Sequence, residues 1–216
     1  LEELAQNIEL PSPVRILDLG CGTGLTSIFI AQEFEQSQVF ATDLWIEPTE
    51  NHRRFVQYGV EDRVIPIHAE AHQLPYAKNY FDAVISIDSY QYFGNNTSYL
   101  DTHLIPLVKD GGLLAISMPG LQPELSPQML PEQIKAFWKD ELVDFRSLAW
   151  WEKVWGASDQ VTLEKTFHHA CHTQAWEDWL QCDNEYARED VKMMEMEGGK
   201  FFATFALIAR VTKASP

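Results

Sequence analysis

Short apolar runs alternate along this chain with stretches whose apolar positions return every three or four residues. The first pattern marks buried strands and the second marks helices that lay one face on a core. Val14–Leu19, bounded by Pro11 and Pro13 before and glycines after, reads as a buried parallel strand. Gln38–Thr42, closed by Asp43, Arg63–His68, Phe81–Ile87 and Leu113–Met118 predict four more, with Phe81–Ile87 apolar enough to be central. Val161–His168 predicts a sixth strand, and Phe201–Val211, entered through Gly198 and Gly199, a last one. Helices are predicted over Leu1–Leu10 (Leu1, Leu4, Ala5 and Ile8 on one face), from Leu25 to about Glu35, and from Pro48 to Gly59. Further helices are predicted at Leu100–Val108, Leu142–Trp155 and Thr173–Gln181. Pro106 interrupts the first of these and predicts a kink. Trp151 and Trp155 share a face with Leu148 and read as core.

Between the first strand and its helix lie Gly20, Gly22 and Gly24. Glycines let backbone approach a ligand closely, and a helix N-terminus offers N–H groups. A dinucleotide site would need G-x-G-x-x-G. Here the third glycine comes one residue early, and Leu25 stands where glycine or alanine is wanted. Asp18 lies two residues before Gly20, where a carboxylate repels phosphate and attracts a cation. The expected ligand therefore carries an amino group or a sulfonium. Asp43, 23 residues beyond Gly20, has the spacing of an acid that accepts from ribose hydroxyls.

The run Asp-Leu-Gly-Cys-Gly-Thr-Gly at 18–24 resembles motif I of the class I S-adenosylmethionine-dependent methyltransferases. That resemblance covers residues 14–118 and implies S-adenosyl-L-methionine as cofactor. It implies that Asp18, Gly20, Cys21 and Gly22 cradle the methionine part, that Asp43 binds the ribose, and that Leu44 flanks the adenine. Ala69-Glu-Ala-His-Gln-Leu-Pro-Tyr76 resembles the family's acid–Ala…Leu-Pro-Phe segment. By that match Glu70 accepts from the adenine amino group and the Ala71 N–H meets a ring nitrogen. His72 and Gln73 replace acids of the family pattern and are read as surface substitutions. Asp88, after the fourth strand, would border the reactive methyl, with Tyr90 and Tyr92 walling the acceptor pocket. Lys109-Asp-Gly-Gly resembles the family's Lys-Pro-Gly-Gly turn, with Asp110 in place of proline. The implied fold is a Rossmann-like, doubly wound α/β sandwich around a seven-stranded, mostly parallel sheet with an antiparallel last strand. Residues 1–216 would form one such domain.

Composition narrows the acceptor. Sixteen basic against 32 acidic residues leave a net charge of −16, with no basic cluster, so nucleic acid and anionic membranes are not expected partners. No run of apolar residues is long enough to span a membrane. Three cysteines, an odd number, argue against a disulfide framework and for a cytoplasmic setting. His168, His169 and His172 do not predict a metal, because neighbouring side chains on a strand point to opposite faces and no CxxC or HExxH accompanies them. Pro119–Glu141, with four prolines, is expected to be a lid or specificity insertion. The expected activity is in-line methyl transfer to a small-molecule acceptor, the general base unassigned among Asp88, Tyr92 and His68. A non-catalytic S-adenosylmethionine-binding module and a nicotinamide-dependent oxidoreductase are the alternatives, the latter disfavoured by Asp18 and Leu25.

Overall fold

A computed structural model describes residues 1–125, 130–137, 142 and 144–213. Its strands are β1 (Val14–Leu19), β2 (Ser37–Asp43), β3 (Val64–His68), β4 (Phe81–Ile87), β5 (Val108–Leu121), β6 (Val161–His168) and β7 (Phe202–Val211). They form one sheet in the order β3-β2-β1-β4-β5-β7-β6, in which β7 alone runs against its neighbours. The expected sheet, including the antiparallel last strand, is therefore the observed one. The helices are α1 (Glu2–Ala5), α2 (Leu25–Glu33), α3 (Pro48–Gln57), α4 (Gln91–Gly94), α5 (Glu132–Lys135), α6 (Leu148–Gly156), α7 (His172–Leu180) and α8 (Glu185–Glu197). Among the described residues no helix is long and apolar enough to cross a membrane.

Successive residues of a strand point to opposite faces, and the two faces bury different partners. Leu17, Val84, Leu114 and Ile116 pack with Tyr90, Tyr99, Trp151 and Trp155 on one side. Ile16, Ala83, Ile85 and Ala115 pack with Leu4, Ile28 and Phe55 on the other. Both faces of β1 and β4 are thus covered along most of their length, which is why these strands read as largely apolar runs.

Four elements depart from the sequence expectations. The first helix is confined to Glu2–Ala5. The stretch expected as a helix to Val108 is a π-helical turn over Leu100–Leu104 followed by a 3-10 turn over Ile105–Leu107. Pro106 has no N–H to continue an α-helix there, and Val108 already belongs to β5. That strand accommodates Gly111 at φ 73° and shifts its register against β4 between Phe81 and Ala83. Finally, α6 starts at Leu148, where Ser147 Oγ accepts the Trp150 N–H at 3.2 Å. Ser147 is held in turn by Glu124, which accepts its N–H and Oγ–H at 2.8 and 2.6 Å.

The expected insertion Pro119–Glu141 falls partly outside the described residues, at 126–129 and 138–141. Its first residues continue β5, with Leu121 opposite Phe202 of β7. Leu125, Ile134 and Leu142 then join Phe145, Met193 and Phe202 in a third apolar cluster. Helix α8, whose charged sequence hides its sparse apolar face, closes that cluster and ends on Gly198 at φ 61°.

Trp155 is fully buried against Tyr90. Trp155→Ala should lower the unfolding free energy by about 3–5 kcal/mol, read as a shifted urea midpoint at unchanged slope.

Candidate active site

The carboxyl ends of β1, β2 and β4 meet where the strand order changes direction, the place where open α/β sheets bind ligands. Gly20 leaves β1 at φ 76° and lies against Ser89: a Cβ on it would stand 2.1 Å from Ser89 Oγ. Ser86 and Ser89, at the end of β4, both donate to the Leu19 carbonyl, at 2.7 and 2.8 Å. The glycine loop and the loop after β4 are thereby stitched together. Gly22 also has a positive φ of 53°, but no atom lies within 4 Å of its absent Cβ. That open side is where a ligand has room.

Four of the loop's N–H groups are taken up within the protein. Those of Gly20 and Cys21 donate to the Thr42 carbonyl at 2.8 and 3.1 Å, and that of Gly24 to Cys21 at 2.9 Å. The Gly22 N–H donates to Asp43 Oδ2 at 2.8 Å. Asp43 Oδ1 accepts from Trp45 and Ile46 at 2.8 and 3.0 Å. Asp43, placed at the end of β2 as expected, thus holds its own loop and the glycine loop at once. A carboxylate offers about four lone-pair sites, so one remains for a hydroxyl.

Asp18 is fully buried. Its Oδ2 accepts from Thr26 Oγ1 and Ser27 Oγ at 2.6 and 2.5 Å, in the first turn of α2, while Oδ1 has no partner. Burial pushes its carboxyl from the ordinary 3.8 up to about 6. An acid left with an empty acceptor in a buried place favours a cationic donor. Burial also pushes the Cys21 thiol far up, so it is an apolar filler and no nucleophile.

Glu70 lies on the loop after β3 and is turned to His72, accepting its N–H at 3.0 Å and its Nδ1–H at 2.7 Å. The His72 hydrogen bond holds the Glu70 carboxyl below its usual range. His72 is exposed, as expected of a surface substitution, and in addition pairs with Glu70 and packs edge-on to Tyr99 and His103. Tyr99 donates to the Ala71 carbonyl at 3.0 Å and so fixes that segment.

Asp88 adopts φ 52°, a strained conformation outside glycine. It accepts from Gln91 Nε2 at 3.0 Å, and its N–H donates to Ser117. The residue is solvent-accessible yet ringed by protein, as on the floor of a crevice, and desolvation pushes its carboxyl up to about 6. Leu44 and Trp45 are both exposed, and the Trp45 ring meets Tyr92 at 6.2 Å across the mouth. Tyr90, expected beside Tyr92 in a pocket wall, is 1% exposed, ringed by Phe93, Tyr99, Trp151 and Trp155, and belongs to the core. A hollow of about 420 Å³ near Arg15, Arg63, Asp82 and Lys109 lies at the opposite end of the sheet, far from these groups.

This sheet order, glycine loop and pair of strand-end acids are similar to those of class I S-adenosylmethionine-dependent methyltransferases. Residues 16–112 match the methyltransferase domain family. The chain is 26% identical over 147 residues to trans-aconitate 2-methyltransferase of Acidovorax sp. (strain JS42), covering 65% of this chain and 52% of that one. It is 27% identical over 116 residues to methyltransferase GfsG of Streptomyces halstedii, covering 54% and 41%. The chain thus spans about half the length of these curated relatives or less. The fold is shared with geranyl diphosphate C-methyltransferase from Streptomyces coelicolor A3(2), solved with Mg2+, geranyl-S-thiolodiphosphate and S-adenosyl-L-homocysteine. The TM-score is 0.77 at 16% identity, covering 98% of this chain and 74% of that one. The [4+2]-cyclase SpnF has it too, with TM-score 0.72 at 17% identity over 99% and 80%.

Gly20→Ala should impair folding and cofactor affinity together, since it meets Ser89 and adds strain. Gly22→Ala should cost about 1–2 kcal/mol of stability from the backbone alone. Thermal melts with and without cofactor separate the two.

Proposed function

We propose that this chain binds S-adenosyl-L-methionine at the β1–β4 crevice and transfers its methyl group to a small-molecule acceptor. The observation that carries the reading is Asp18: a buried carboxylate with an unpartnered oxygen beside a loop whose Gly20, Cys21, Gly22 and Gly24 N–H groups are already used. Such a site disfavours a diphosphate and favours the ammonium of the cofactor's methionine part. Asp43 and Glu70 support the ribose and adenine ends, with the Ala71 N–H beside Glu70. Leu44 and Trp45 are the two exposed apolar surfaces available to the adenine.

In methyl transfer the sulfonium charge is lost as the new bond forms, so alignment and exclusion of water matter more than acid–base groups. Alignment alone contributes roughly 7–11 kcal/mol. Asp88, at the floor of the crevice, and Tyr92, at its mouth, border the acceptor. Leu125 and Ile134, which cluster with Met193 of α8, would belong to a specificity element on that side. Acceptors of the relatives, an unsaturated carboxylic acid and an isoprenoid diphosphate, set the classes to try first. The net charge of −16 disfavours a polynucleotide, and the exposed free thiols of Cys171 and Cys182 suit a reducing cytoplasm. The second reading, a cofactor-dependent fold without methyl transfer, is favoured by the cyclase that shares this fold.

The test is calorimetric titration with S-adenosylmethionine and NAD, then S-adenosylhomocysteine release over carboxylic acids, isoprenoid diphosphates, sterols, tRNA and duplex DNA. Binding of S-adenosylmethionine without turnover on any acceptor would favour the second reading, and salt-sensitive turnover on a polynucleotide would overturn the small-molecule one.

Asp18 also makes a pH prediction. Its carboxyl pKa is raised in the folded state, so its contribution to stability is full below about 3.8 and is lost as pH rises through about 6. Cofactor affinity should move the opposite way, strengthening as Asp18 ionises. Asp88 is also pushed up to about 6, so in an Asp88→Asn background the further change Asp18→Asn should flatten the step that remains and weaken binding by about 1.5–3 kcal/mol.

A further inference from the structure

On the far side of β5 from the glycine loop, three metal-ligating side chains converge from distant parts of the chain. Glu3 of α1, His169 after β6 and Cys171 at the start of α7 each offer one ligand atom, all within 4.8 Å of one another. The His169 ring is 2% exposed, and its Nδ1 lies 3.3 Å from Glu3 Oε2 without the alignment of a hydrogen bond. Two light-atom ligands about 2.0–2.1 Å from a tetrahedral zinc stand roughly 3.3–3.4 Å apart, which is the separation observed.

The surroundings are those of a ligand set held in advance. His169 Nε2 is 2.8 Å from Ser117 Oγ. With Nε2–H donated to that hydroxyl, Nδ1 presents its lone pair toward Glu3 and Cys171. A metal-binding histidine almost always has such an outer partner on its second nitrogen. Glu3 is fixed from the other side: Oε1 accepts the Ala170 N–H at 3.0 Å and Oε2 the Cys171 N–H at 3.4 Å. The turn that carries the thiol therefore also positions the carboxylate. The other two histidines of the group are occupied elsewhere. His172 Nδ1 is 2.9 Å from Thr204 Oγ1, and the His168 ring packs edge-on to Phe205.

We propose that Glu3, His169 and Cys171 bind a zinc-class divalent cation, with Ser117 orienting the imidazole. Carboxylate and thiolate together neutralise the ion, and nitrogen, oxygen and sulfur together suit a borderline metal better than magnesium or calcium. Three protein ligands leave a fourth place for water, toward the solvent that Cys171 faces. The ion would clamp α1 to the β6–α7 turn, one residue layer from Asp88, whose N–H donates to Ser117. This reading does not depend on methyl transfer.

The experiment uses the whole chain, stripped of metal and titrated with Co2+ and then Zn2+. One Co2+ per chain is expected, with thiolate-to-cobalt charge-transfer absorption that Zn2+ removes. Cys171→Ser should abolish that absorption and Glu3→Gln should abolish stoichiometric uptake; both are surface changes that leave the core intact. Cys182→Ser and His172→Ala should bind as the parent does. Ser117→Ala should weaken binding about tenfold to hundredfold. Absence of stoichiometric uptake, or uptake undiminished in Cys171→Ser and Glu3→Gln, overturns the proposal.

Discussion

The close approach of Gly20 to Ser89 is the contact on which the crevice depends. The loops that leave β1 and β4 converge because one of them has no Cβ there. Ser86 and Ser89 then share the Leu19 carbonyl, and Thr42 of β2 takes the next two N–H groups of the glycine loop. Three adjacent strand ends are joined by backbone and hydroxyl bonds before any ligand arrives. The floor is built by the same sequence that folds the sheet, so ligand affinity is not spent on ordering it.

That construction changes what the acids do. Asp43 spends three lone pairs on N–H groups of its own and the glycine loop, and Glu70 spends both oxygens on His72. For Asp43 a ribose hydroxyl would add to an existing set of bonds. For Glu70 an adenine amino group would share with, or displace, the imidazole. Asp18 differs from both, since it keeps a buried oxygen with no partner. Of the three acids it is the one whose environment improves outright when a cation enters.

The cofactor half of the domain was legible because its constraints are local. A glycine at positive φ, an acid at a strand end and an unbroken apolar run each leave a mark within a few residues. The acceptor half was legible only in the order of its elements. Tyr90 and Tyr92 look alike in sequence, and only packing against Trp151 and Trp155 sends one inward. Helix α8 escaped notice because three buried positions among charges carry a weak period. His72 is the surface residue its position suggested, but its contacts with Tyr99 and His103 come from another segment and left no mark in the local sequence. The grouping of Glu3 with His169 spans nearly the whole chain, a separation at which no spacing rule operates.

The division has a physical origin in the sheet. On the β3-β2-β1-β4 side, parallel strands end on short loops tied to one another by backbone and side-chain hydrogen bonds. Beyond β4, the reversed β7 opens the edge, and β5, β7 and β6 carry long connections that pack through their own cluster around Phe202 and Met193. Side chains there answer to each other more than to the sheet. The same crevice can therefore keep its cofactor contacts while its acceptor wall is rebuilt. Asp88 stands at the seam, bonded on one side to Gln91 and on the other, through Ser117, to the histidine that meets Glu3. Its strained backbone is held by both halves.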